Sequence, residues 1–201
     1  MIDWDGTVTE SDTLMLTLRH FVAPGLLEPL EAELDAGLAD GTITHREVME
    51  REFALLNTPL EEVVAFVEKH ARVRPGFTGF VRRFDPLVVS SSFFETIEPV
   101  LRREGVTVRL RANHAGPGAD GWRIRWESDS DCTTCNEPCK RGSLPDGPFV
   151  YVGDGYSDRC AALGAERIFA RDGLALYLDE QGVAYEPFTD FTSLAAALEL
   201  T

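Results

Sequence analysis

Apolar positions along the first seventy residues recur at helical spacing. Leu14, Leu16, Leu18, Phe21 and Val22 form one segment, stopped near Pro24-Gly25, and Leu26, Leu27, Leu30 and Leu34 form a second. Thr44 with Glu47 three positions on reads as a capping box ahead of Val48, Met49 and Phe53. Thr58-Pro59-Leu60-Glu61 opens a further helix carrying Val63, Val64, Phe66 and Val67, with Pro at its first position. Several amphipathic helices with no strand between them predict a small helical bundle. Phe77, Phe80, Val81 and Phe84 then mark a helix that leads into a different pattern.

Beyond it, short apolar runs alternate with helices. Leu87-Val88-Val89-Ser90 reads as a buried parallel strand ended by Ser91-Ser92, and Thr96 to Arg103 as a helix. Val106 to Leu110 alternates as a strand. Ala112 to Ala115 and Trp122 to Glu127 predict a hairpin turning at Gly116-Pro117-Gly118. Phe149 to Val152 is a second buried strand, with a helix from Ser157 to Leu163. Ile168-Phe169-Ala170 is a third, and Leu194 to Leu200 closes the chain as a helix. Alternation of this kind predicts an α/β fold, a three-layer Rossmann-like parallel sheet with right-handed crossovers. Met1-Ile2 is a very short lead into Asp3 for a central strand, so either that strand is stunted or the natural chain starts earlier. The division expected is a core of residues 1–9 and 75–201 with a helical cap at 10–74, inserted after the first strand.

Composition narrows the chemistry. A chain of 201 residues, 44% hydrophobic, suffices for one full core, or one core with a smaller appended subdomain, and a net charge of −15 repels nucleic acid. Any anion site must therefore be locally positive or metal-loaded. No apolar run is long enough to span a bilayer and none reads as a signal peptide, so no membrane partner and a cytoplasmic location are expected. The oligomeric state stays open, a homodimer being compatible with the pattern.

In Asp3-Trp4-Asp5-Gly6-Thr7 the two carboxylates point the same way from an extended backbone, and Gly6 permits a sharp turn. Close like charges call for a divalent cation, and paired carboxylates suit one nucleophile and one proton donor. Further apolar runs end in Ser90 and Asp154, and ligands of open α/β sheets bind at the carboxyl ends of strands. Lys140 lies between them and supplies a cation.

This order, Asp3 to Thr7, then Val88-Val89-Ser90, then Lys140, then Gly153-Asp154-Gly155-Tyr156-Ser157-Asp158, resembles the haloacid dehalogenase superfamily of phosphohydrolases, with a cap like that of the phosphoserine-phosphatase branch. The resemblance covers the whole chain and implies a Mg²⁺-dependent phosphatase acting on a small phosphorylated metabolite. By it, Asp3 is the nucleophile forming an aspartyl-phosphate, and Asp5 protonates the leaving group and later activates water. Lys140 offsets charge, Ser90 hydrogen-bonds the phosphoryl oxygens, and Ser91 is a candidate substrate contact beside it. Asp3, Asp154 and the backbone carbonyl of Asp5 hold Mg²⁺, and Asp158 holds the metal shell or Lys140. Phosphoserine phosphatases carry a glutamate nine positions after the nucleophile, where this chain has Asp12 as its candidate substrate contact. They carry Ser-Gly-Gly-Phe where it has Ser90-Ser91-Ser92-Phe93. Asp3 to Asp12 and the cysteines before Lys140 look more like the enol-phosphate phosphatases of methionine salvage. A phosphoserine phosphatase, a phosphotransferase on the same aspartyl-phosphate and a degenerate binding module remain as alternatives.

Cys132-x-x-Cys135-x-x-x-Cys139 has metal-ligand spacing but only one Cys-x-x-Cys pair. Asp131, Cys160 or a water would have to complete a tetrahedron. Reduced thiols or a labile disulfide are the favoured expectation. His20, His45, His70 and His114 read as surface or cap residues, and Arg19, Arg46 and Arg51 as a charged helix face of the cap.

Overall fold

The computed structural model describes residues 1–118, 121–128, 130–137, 139–144 and 147–199. The first strand is represented by Ile2 alone, which bridges in parallel to Val88 on one side and Val152 on the other. Around it lie β1 (Leu87–Phe93) and β4 (Val150–Gly153). Outward from β1 comes β2 (Arg109–Gly118). Outward from β4 come β5 (Arg167–Ala170) and β6 (Glu186–Pro187), every one of these pairings parallel. The far half of β2 turns back antiparallel with β3 (Gly121–Arg125).

Burial shows why the sheet carries helices on both faces. Along β4 and β5, Tyr151, Ile168 and Ala170 join one apolar cluster, whereas Val152 and Phe169 join another. Successive strand side chains point to opposite faces, so each face has its own core. The first face packs α7 (Arg159–Ala162) and α8 (Asp172–Gln181), through Ala161, Leu174 and Leu178. The second packs α5 (Phe77–Phe84), α6 (Phe94–Arg103) and α9 (Phe191–Glu199), where Phe77 and Phe80 meet Phe191 at ring separations of 5.0 and 5.2 Å.

Helices α1 (Thr13–Phe21), α2 (Leu27–Asp40), α3 (His45–Phe53) and α4 (Leu60–His70) follow the first turn of chain. The segment starts and ends at an antiparallel bridge, Thr9 with Val73, reinforced by Arg74 N–H to Val8 O at 2.8 Å. Its apolar face shares the second core: Leu18, Met49, Phe53 and Val63 lie in one cluster with Trp4, Phe93 and Ile97. The capping box at Thr44 and Glu47 is present. Phe53, the last residue of α3, packs edge-on to Phe93 at the end of β1 at 4.8 Å.

Three local expectations are corrected. β1 continues through Ser91-Ser92 to Phe93, because its later residues still find partners on β2. Gly116-Pro117-Gly118 is strand, pairing with Gly121 to Arg123, and the reversal falls at 119–120, outside the described residues. α8 and β6 go beyond the expected set. Leu174, Leu176 and Leu178 alternate in sequence, and Leu176 is 67% exposed, so no helical stripe is visible there. The expected end of the last helix at Leu200, and Pro145 and Asp146 after Lys140, lie outside the described residues.

Candidate active site

The turn after Ile2 places Asp3 and Asp5 on one side and sends Trp4, fully buried, into the core between them. Asp3 is itself buried and accepts an ion-paired hydrogen bond from Lys140 Nζ, 137 positions away in sequence. Lys140 also donates to Asp158 Oδ1 at 2.7 Å. Burial alone would lower the Lys140 pKa, but the Asp158 and Asp3 carboxylates outweigh it and hold the ammonium above its ordinary value.

Asp158 is satisfied on both oxygens. Oδ1 accepts from Lys140 and from Tyr151 Oη at 2.8 Å, and Oδ2 accepts the backbone N–H groups of Asp154 and Gly155 at 2.9 and 3.0 Å. It therefore positions Lys140 and the loop of Asp154. Asp154 accepts from Thr7 Oγ1 at 2.9 Å, and burial, then the charge of Asp158, push its pKa up to about 6. Gly6 sits at φ 70°, and a Cβ there would stand 2.1 Å from Asp154 Oδ2. Only glycine lets the two loops approach this closely. Carboxylate oxygens of Asp3, Asp154 and Asp158 lie within 4.8 Å of one another; with Asp158 taken up by its own donors, Asp3 and Asp154 are the hard oxygens that fit Mg²⁺.

Asp5 accepts from the Thr13 N–H at 2.8 Å and from the Thr13 hydroxyl. Burial, then the charges of Asp12 and Asp3, raise its pKa to about 8, so it holds a proton at neutral pH. Ser90 accepts the Ser92 N–H on its Oγ at 2.9 Å, which leaves the hydroxyl hydrogen for a ligand oxygen. Asp3, Asp5, Ser90, Lys140 and Asp154 line one cavity of about 180 Å³, with Ser91 and Asp12 at its wall. Asp12 also caps α1 through Met15 N–H at 2.9 Å. The candidate residues thus share one edge, Asp158 directly behind it.

Three residues here carry no site role in the sequence analysis. Tyr151 looks like any buried strand aromatic, and Tyr156 like a loop residue. His45, expected at the surface or in the cap, lines this cavity and a neighbouring one of about 350 Å³, stacked on Tyr156 at 5.9 Å. No local signal marks it, since its place follows from how α3 packs. Arg19 and Arg51 pair with Glu31 and Glu33, as a charged helix face would; Arg46 meets Glu50 at 3.3 Å and lies over the Trp126 ring.

Burial, then the Lys140 ammonium, lower the His45 pKa to about 4. Unfolded, the ring titrates near 6.5. Stability from a neutral His45 is thus complete above about pH 6.5 and lost as pH falls toward 4. His45→Gln is expected to remove this dependence. Measured by urea unfolding, the variant should gain on the wild type by about 2 kcal/mol between pH 7 and pH 4, part of the full linkage because the ring is partly exposed. Parallel pH profiles for the two proteins would contradict it.

A family model described as haloacid dehalogenase-like hydrolase matches residues 1–163. The chain belongs to the haloacid dehalogenase-like hydrolases. Among similar proteins, the 2-hydroxy-3-keto-5-methylthiopentenyl-1-phosphate phosphatase of Bacillus velezensis is 32% identical over 98% of this chain and 88% of its own. That of Geobacillus kaustophilus is 31% identical over 98% and 93%. A phosphoserine phosphatase solved as a phospho-aspartyl intermediate analogue superposes with a TM-score of 0.70 over 98% of this chain and 96% of its own, at 16% identity, and so shares the fold.

Proposed function

We propose that this protein is a Mg²⁺-dependent phosphomonoesterase that hydrolyses 2-hydroxy-3-keto-5-methylthiopentenyl 1-phosphate through an aspartyl-phosphate. The observation that carries the chemistry is the Lys140 ammonium bonded to both Asp3 and Asp158 at the cavity wall. The substrate rests on the full-length relatives of that name.

Asp3 attacks phosphorus as the bond to the leaving oxygen breaks, and Asp5, protonated at neutral pH, gives that oxygen its proton. Asp5 then takes a proton from the water that attacks the aspartyl-phosphate, and inorganic phosphate leaves. Lys140 and Ser90 hold the equatorial oxygens, where positioning and charge supply most of the rate. Asp3, Asp154 and the Asp5 carbonyl would hold Mg²⁺, which when bound offsets negative charge on the nucleophile and the phosphoryl group. Residues 10–74 act as the cap over a core of 1–9 and 75–201, with His45, Ser91 and Asp12 facing the metabolite. Among the described residues no helix is long and apolar enough to cross a membrane. We place the enzyme in the reducing cytoplasm, where its four free thiols persist.

A substrate panel with Mg²⁺ tests the reading. The enol phosphate is expected to exceed phosphoserine in kcat/KM by at least about 100-fold, the scale a site's unmatched polar groups impose on a wrong substrate. Faster turnover of phosphoserine, or phosphoryl transfer to added alcohols in preference to water, would overturn it.

A further inference from the structure

Four cysteines take no part in the reaction above, yet the fold gathers them. The Sγ atoms of Cys132, Cys135, Cys139 and Cys160 all lie within 4.8 Å of one another, and all four are free. Cys132 and Cys160 stand 3.8 Å apart. A disulfide would need about 2.05 Å. A tetrahedral ion with metal–sulfur bonds of about 2.3 Å sets its ligands about 3.8 Å apart.

The backbone is shaped for the same purpose. Asn136 N–H returns to Cys132 O at 2.8 Å, Cys132 N–H reaches Glu137 O at 2.9 Å, and Asn136 takes φ 58° to close the turn. Thr134 N–H donates to Cys132 Sγ at 3.4 Å. An amide aimed at sulfur favours the thiolate, the form that binds metal.

We propose that Cys132, Cys135, Cys139 and Cys160 form a closed tetrathiolate site for a structural Zn²⁺ ion, separate from the Mg²⁺ site. Four soft thiolates in tetrahedral array select zinc over hard cations, and four protein ligands leave no open position for catalysis. On ligation each thiol gives its proton to solvent and no electron is transferred. Cys160 settles the fourth ligand, where the spacing of the first three leaves Asp131 or water equally open.

The site also has a place in the architecture. Cys139 immediately precedes Lys140, and Cys160 follows Asp158 by two residues. Lys140 opens a 3-10 helix of four residues, Lys140–Ser143, a short support for a buried catalytic ammonium. Zinc would pin the lysine loop to the Asp158 segment next to their 2.7 Å bond, beside the tie from Arg141 to the Cys160 carbonyl at 3.2 Å. The Glu137 carboxylate, within the same loop, accepts the His45 N–H at 3.2 Å and links it to α3.

Elemental analysis of the full chain, purified under reducing conditions and reconstituted with zinc chloride, tests this. One zinc per chain is expected, released stoichiometrically as a mercurial reagent titrates four thiols. Cys132→Ser and Cys135→Ser are expected to lose the ion and to melt at lower temperature. Should those variants fail to fold, cobalt substitution of the wild type must give the intense visible bands of a tetrahedral thiolate site. Substoichiometric zinc after reconstitution, iron in its place, or cobalt bands of an octahedral oxygen site would each overturn the proposal. These readouts do not involve turnover, so they stand apart from the fate of the substrate assignment.

Discussion

Asp3→Asn is expected to lower phosphoester turnover by at least about 10⁴-fold, the scale seen when an acting nucleophile is removed from a cooperating set. The amide oxygen of asparagine is a poor nucleophile, and its side chain carries no charge to share with a metal. The fold should survive. In the metal-free protein Asp3, Asp154 and Asp158 crowd one ammonium, and burial together with Asp158 already holds the Asp3 pKa well above its usual range. Removing one negative charge relieves that repulsion and leaves Lys140 bonded to Asp158. The melting temperature without Mg²⁺ should therefore stay level or rise, as is common where function holds like charges together. Turnover of a generic phosphate ester with Mg²⁺, read beside thermal unfolding in chelator, checks both halves. Residual activity within tenfold of wild type would remove Asp3 as nucleophile, whereas a wild type without turnover would favour the degenerate-module reading.

Gly6→Ala is the second large effect. A methyl group there would stand 2.1 Å from Asp154 Oδ2 and 2.7 Å from its Cγ, distances no pair of such atoms sustains. The backbone at φ 70° adds about 1–2 kcal/mol of strain for a residue with a Cβ. Asp154 must swing away, breaking its bond from Thr7 Oγ1. The expected result is a loss of at least about 100-fold in kcat/KM, the scale of one displaced electrostatic contact, with half-saturation by Mg²⁺ moved to higher concentration. A Mg²⁺ titration of initial rates separates this from simple instability. An unchanged half-saturation point would mean that Asp154 is not a ligand.

The two positions differ in how they announce themselves. Asp3 is visible in the sequence because its neighbours are diagnostic: Asp5 two positions on, Gly6 and Thr7 at the turn. Gly6 reads as a turn residue, but its second duty, admitting Asp154 from the end of another strand, is invisible until both loops are in place. The same divide runs through the chain. Thr44 and Glu47 announce the start of α3, since a capping box is complete within four residues. Where α3 then delivers His45 depends on Phe53 finding Phe93, and no local pattern contains that contact. Gly116-Pro117-Gly118 looks like a turn by composition, yet pairing with β3 holds it extended, because ladder partners override local preference at the sheet edge.

By itself the sequence determined the alternation of strands and helices, the helical insert, and the order in which acid, hydroxyl, ammonium and acid follow one another along the chain. These follow from side-chain periodicity and the handedness of crossovers, which act over short stretches of chain. Only the tertiary structure decided that Asp158 is saturated by Lys140, Tyr151 and two amides, that His45 faces the cavity, and that Cys160 completes the sulfur cluster. Each of these is a meeting of side chains to within a few ångströms across distant segments. That distance is set by how whole faces pack, and it is written in no single stretch of residues.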